Sequence, residues 1–172
     1  MFRLIILMFI FMSFCFIGYV YGDKFLKRHK RLNEILKSIL LLQNEVIYNL
    51  SPLPEALFSI GTKSREPFSK LFLDVSDILL KGDGESVYEV FKQEYKKNKE
   101  DYYLLEEDER ILSDFFKSLG DLGIYGQDKM FDLVIANLKL NIKDAEIIAK
   151  KNTKLYRCLG VCIGAMIVIF LL

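Results

Sequence analysis

Histidine, cysteine and clustered carboxylates are the residue types that could carry chemistry in this chain, and each sits where that chemistry lacks partners. The single histidine, His29, stands among Lys24, Lys27, Arg28, Lys30 and Arg31. Ser-His and Cys-His nucleophilic schemes need a histidine base beside the nucleophile, and a solvated or headgroup-facing side chain in a basic collar supplies none. The three cysteines, Cys15, Cys158 and Cys162, all lie inside two terminal apolar stretches. Cys158 and Cys162 are four apart on one helix face, yet no further ligand is near them, so they are read as packing residues. With no cysteine left in the polar part, a disulfide framework is excluded. Asp74 and Asp77 share a helix face without forming a distinctive pair. Gly82-Asp83-Gly84 lacks the Lys-Ser/Thr of a phosphate loop and reads as a turn. The expectation is a protein that is not an enzyme, with no catalytic residue, cofactor, metal or small-molecule substrate.

One acidic run remains, Glu106, Glu107, Asp108 and Glu109. It precedes Ile111, Leu112, Phe115, Phe116 and Leu119, a helical stripe, so the carboxylates fall at a helix amino terminus and interact favourably with its dipole. A docking patch for a basic partner is the sharper reading of the same four residues. A calcium site is disfavoured, because no Asp/Asn/Gly loop of the required spacing surrounds them.

The stretch Leu155–Leu172 organises the rest. Its 18 residues would make a helix of roughly 27 Å, about the apolar thickness of a bilayer. Lys150, Lys151, Lys154 and Arg157 form its collar. Residues 4–22 are also uncharged, after Arg3, and five basic residues follow them. Val20 and Gly22 would suit a signal-peptidase site, which would release an extracytoplasmic, tail-anchored helical module. The length of the apolar run and the basic residues after it favour an uncleaved anchor. Both collars face the central region, so the positive-inside bias places that region in the cytosol. Tyr19 and Tyr21 lie where an interfacial aromatic belt is expected.

The chain divides into an N-terminal transmembrane helix (1–22), a cytosolic acidic body (23–154) and a C-terminal transmembrane helix (155–172). Residues 32–149 carry 14 Lys or Arg against 22 Asp or Glu. An acidic body repels phosphate backbones, so nucleic acid is not an expected partner; the collars suit anionic lipid headgroups. Gly18 with Gly22, and Gly160 with Gly164, give each span a small-xxx-small notch of the kind that lets helix backbones approach. The two anchors are expected to pack together or to present one notched face to a membrane partner.

Apolar periodicity places helices over 32–50, 54–60, 67–81, 85–98, from the acidic run to Leu119, and from Gln127 into the last span. Gly61 is expected to close the second of these, residues 96–103 to form a loop, and Gly120, Gly123 and Gly126 to punctuate the turn after Leu119. No segment alternates like a strand. The fold class is therefore all-α, a bundle of about six helices flanked by two transmembrane helices.

Certain short runs occur in a specific order. Glu45-Val46-Ile47-Tyr48 leads into Ser51-Pro52-Leu53 and Glu55-Ala56-Leu57; Leu119-Gly120 is followed by Gln127; Lys154-Leu155 and Leu159-Gly160 precede the terminal span. In these runs and their order the chain resembles the stage III sporulation protein AB family of endospore-forming bacteria, over essentially its whole length. The resemblance implies a mother-cell membrane protein of the channel complex that links mother cell and forespore. It implies a cytosolic domain similar to the helical domains of the type II secretion inner-membrane platform (F) protein. The implied partners are the cognate ATPase, sporulation protein AA, and other proteins of the same operon. The platform protein has two such domains and this chain one, so a complete platform would need several copies, as a homo-oligomer, or another membrane subunit. On this reading Glu106, Glu107, Asp108 and Glu109 face the ATPase. The rival without the resemblance is a generic membrane-tethered helical adaptor.

Overall fold

The computed structural model describes residues 2–82, 86–119 and 124–171. Among these residues the fold is all-α. The helices are α1 (Phe2–Gln43), α2 (Leu53–Lys63), α3 (Phe68–Lys81), α4 (Val87–Lys97), α5 (Glu106–Leu119) and α6 (Ile124–Leu171). A π-helical turn, Asn44–Tyr48, follows α1, and a 3-10 turn, Lys99–Tyr102, follows α4. Two compact units result: Lys30–Ile142, and Met1–His29 together with Lys143–Leu172. One boundary falls within the first basic collar, between His29 and Lys30, and the other, between Ile142 and Lys143, falls before the second collar begins at Lys150.

In the unit Lys30–Ile142 the expected stripes form the core. Leu32, Ile35, Ile39 and Leu42 of α1, Leu57 and Ile60 of α2, Phe68, Leu71 and Val75 of α3, and Phe131, Val134 and Leu138 of α6 are buried. α2 starts after Pro52, with Pro54 in its first turn, where a missing N–H costs nothing. α4 starts after Ser86, whose hydroxyl accepts from Glu89 N at 3.2 Å. α3 stops at Gly82, which adopts φ +73 and returns its N–H to Leu79 O, a left-handed cap that glycine reaches without a Cβ penalty.

Two serine hydroxyls stitch α3 to α2. Ser69 donates to Gly61 O and Ser76 donates to Pro54 O, each at 2.7 Å. Gly61 does not end α2, which runs on to Lys63. A Cβ there would lie 2.8 Å from Leu73 Cγ, so the glycine serves close helix approach rather than termination. The residues 83–85 of the first glycine turn, and Gly120 and Gly123 of the second, lie outside the described residues; Gly126 lies within α6.

The expected loop over 96–103 is ordered by an aromatic side chain. Tyr102 is 1% exposed, with its ring 4.6 Å from Tyr95 and 5.1 Å from Phe68. A run of ring contacts continues through Phe91 and Phe116, 4.0 Å apart, to Phe115 and Phe131, 5.1 Å apart. Rings from α3, the 3-10 turn, α4, α5 and α6 thus share one core, with large apolar areas buried at each step. The local sequence KNKEDYYL is too polar to announce this; only one ring in it turns inward.

Candidate functional site

The acidic run opens α5, and its carboxylates divide between surface and interior. Glu106 and Glu107 are exposed. Asp108 is fully buried: its Oδ2 accepts from Leu105 N at 3.0 Å and its Oδ1 from Asn141 Nδ2 of α6 at 2.7 Å. The Asp108 and Glu109 N–H groups return to Leu105 O, both at 3.0 Å. This is one half of a capping box, in which a side chain three residues into the helix satisfies the donor before it. Asp108 is therefore a structural group rather than part of a docking face. Glu109 is half-buried and accepts from Tyr95 Oη at 3.2 Å, while Lys99 Nζ lies 2.8 Å from its other oxygen. Burial, and then the Glu109 charge, push the Tyr95 phenol well above its ordinary range; the hydrogen bond to Glu109 raises Lys99.

A groove of about 300 Å³ lies between α4 and α5, with Phe91, Tyr95 and Leu112 beneath and Lys96, Arg110 and Glu106 on its margins. Ser113 donates to Tyr88 Oη at 3.3 Å at one end, and that bond lowers the Tyr88 pKa. Exposed Glu106 therefore borders an amphipathic surface with charges of both signs.

Sequence reasoning missed Asn141 and Lys99. Asn141 stands on the same face of α6 as Leu138 and Ala145, both buried; an amide on a buried stripe signals a polar partner across the packing. Lys99 gives no such signal, because its role depends on the 3-10 turn.

The second set of expected residues lies in the unit formed by residues 1–29 and 143–172. Here α1 and α6 run antiparallel. Cα of Gly160 lies 3.0 Å from where a Gly18 Cβ would stand, and Tyr156 O lies 2.7 Å from it. A Cβ on Gly160 would lie 2.9 Å from Phe14 O, and one on Gly22 3.2 Å from Thr153 O. Gly164 faces side-chain atoms of Phe11 and Phe14. Thr153 Oγ1 donates to Gly22 O at 3.0 Å. Three of the four glycines thus meet backbone across the helix pair.

Both helices are long and apolar enough to cross a membrane by length and composition. In their most apolar 18-residue segments only 17% of residues in α1 and 11% in α6 are buried. A core helix would be largely covered; these surfaces face outward and are compatible with membrane association. Among the described residues no cluster of three or more His, Cys, Asp or Glu could hold a metal ion.

Comparison with known proteins agrees along the whole chain. The profile of the family described as stage III sporulation protein AB matches residues 3–172. Stage III sporulation protein AB of Bacillus subtilis (strain 168) is 26% identical over 172 residues, covering 100% of both chains. A solved structure of a stage III sporulation protein AB superposes with a TM-score of 0.65 at 27% identity, covering 71% of this chain and 95% of that one. The chain belongs to the stage III sporulation protein AB family.

Proposed function

We propose that the protein is a non-enzymatic membrane scaffold of the sporulation channel between mother cell and forespore, holding a cytosolic ATPase against membrane subunits. The observation that carries this is the pairing of the two terminal apolar helices, glycine against backbone, with basic residues where both leave the apolar zone. Such a hairpin anchors a chain at both ends and directs the intervening acidic body to the cytosolic side. The helical bundle is read as similar to the type II secretion F domain, and sporulation protein AA as the ATPase.

The exposed carboxylates Glu106, on the margin of the α4–α5 groove, and Glu107 are the favoured ATPase-facing surface. Asp108 supports that surface from beneath. The test is co-purification of the ATPase from sporulating cells with a Glu106→Lys, Glu107→Lys variant. Lost co-purification with unchanged helicity supports the surface; retained co-purification rejects it.

A further inference from the structure

Folding brings Lys24, Lys27 and Arg28 of the first basic collar into one compact unit with the second collar, more than a hundred residues away in sequence. Across residues 23–29 and 143–157 that unit carries Lys24, Lys27, Arg28, Lys143, Lys150, Lys151, Lys154 and Arg157 against Asp23, Asp144 and Glu146. Two of the acids are already engaged: Asp23 with Lys27 at 3.8 Å and Glu146 with Lys150 at 2.6 Å. Lys24, Lys151, Lys154 and Arg157 are all exposed.

Aromatic rings join the two collars. Tyr156 of α6 stacks on Phe25 and on Tyr21 of α1, with centroids 5.6 and 6.3 Å apart. Arg157 of α6 lies 4.5 Å over the Tyr19 ring of α1, and Lys24 lies 4.8 Å over Tyr21. A ring face attracts a cation without neutralising it. The guanidinium of Arg157 is thereby held beside Tyr19, at the edge of the apolar run. At that depth the anion on hand is a phospholipid phosphate. Lys151, Lys154 and Arg157 recur every three residues, which sets them on one broad side of α6.

We propose that Lys151, Lys154 and Arg157, with Arg157 held over the Tyr19 ring of α1, form a headgroup site for anionic phospholipid that is complete only when α1 and α6 are paired. The inference rests on the membrane reading above but goes beyond it. A generic anchor needs only an apolar span; this one selects the lipid beside it. Tyr19 positions Arg157, and the cations meet the phosphate.

The test uses the full chain in nanodiscs containing equal parts of phosphatidylcholine and phosphatidylglycerol, with spin-labelled lipid of each type reporting the immobilised fraction at the protein. Since each basic residue near an anionic surface strengthens association about fivefold, the wild type is expected to prefer phosphatidylglycerol by about that factor or more. The variant Lys151→Gln, Lys154→Gln, Arg157→Gln should lose the preference while hydrogen exchange around Gly18 and Gly160 stays protected. Tyr19→Leu, which keeps every charge, should lower it part-way. Excess inorganic phosphate at constant ionic strength should leave the wild-type preference in place. Equal association of the two lipids with the wild type, an unchanged preference in the triple variant, or displacement by inorganic phosphate would each overturn the site. A chain that stays outside the nanodiscs would instead overturn the membrane reading beneath it.

Discussion

Asn141 on α6 donates through Nδ2 to Asp108 Oδ1 at the start of α5, across 2.7 Å and 33 residues of sequence. That bond, with the Leu105 N–H on the other oxygen, fixes where α5 begins relative to α6. Both partners lie in one unit, so the acidic run is presented on a surface set by its single buried member.

Replacing Asp108 by Ala leaves the Leu105 donor and the Asn141 amide without their acceptor. Losing the cap and stranding a buried polar group should each cost about 1–2 kcal/mol. Thermal melting of the full chain in detergent is expected to show a clear drop. Glu107→Ala should melt close to wild type, and equal losses in the two variants would contradict the division between buried and exposed carboxylates.

The Glu45 carboxylate accepts from Asn49 Nδ2 at 2.9 Å, Ser59 Oγ at 2.9 Å and Lys63 Nζ at 3.3 Å. These bonds, the Asn49 amide first, lower its pKa from 4.5 to about 2. A pKa depressed by folding stabilises the fold above the unfolded value, and that share is lost as pH falls from 4.5 towards about 2. Glu45→Gln should therefore flatten the stability profile in that window and leave its neutral shape alone. An acid limb identical to wild type would argue against the network.

Truncating Tyr102 to Ala empties a site whose ring touches Phe68 and Tyr95. Loss of about 3–5 kcal/mol is expected, in line with large aromatic truncations, whereas Tyr102→Phe keeps the stacking and should cost little. Urea unfolding followed by circular dichroism separates the two. A mild Tyr102→Ala would mean that the 3-10 turn is not part of the core.

These sites differ in how far the sequence announces them. The stripes Leu32-Ile35-Ile39 and Phe131-Val134-Leu138 are legible because a buried helix face repeats every three or four residues, and both are buried as expected. Pro52, Pro54, Ser86 and Gly82 mark helix ends through local chemistry alone. Gly61 misleads, because a glycine that ends a helix and one that admits a neighbouring side chain look alike in sequence. Glu45, Ser51, Leu119 and Gln127 stand out as ordered runs, but their purpose is tertiary. Ser51 N returns to Glu45 O at 2.9 Å, and Gln127 Nε2 donates to Leu119 O at 3.2 Å, covering an open carbonyl at the end of α5. Within the acidic run, sequence cannot tell Asp108 from its neighbours, since its burial is set by Asn141 of another helix.

The paired glycines should rank by what a side chain meets. Gly18→Ala and Gly160→Ala push a Cβ onto opposing backbone, whereas Gly164→Ala meets Phe11 and Phe14 side-chain atoms that can yield. Hydrogen exchange of the full chain in nanodiscs should show the first two variants deprotected around residues 14–22 and 153–160, and Gly164→Ala nearly unchanged. A Gly18→Ala variant as protected as wild type would contradict the close approach.

The membrane orientation of the acidic body is what the scaffold reading stands on. Lys81, exposed at the end of α3, can be replaced by Cys in a chain whose Cys15, Cys158 and Cys162 are Ser, expressed in vegetative bacteria and treated with a membrane-impermeant thiol reagent. No labelling is expected in intact cells, and full labelling once they are permeabilised. Labelling of Lys81→Cys in intact cells would place the bundle outside the cytosol and contradict the scaffold reading.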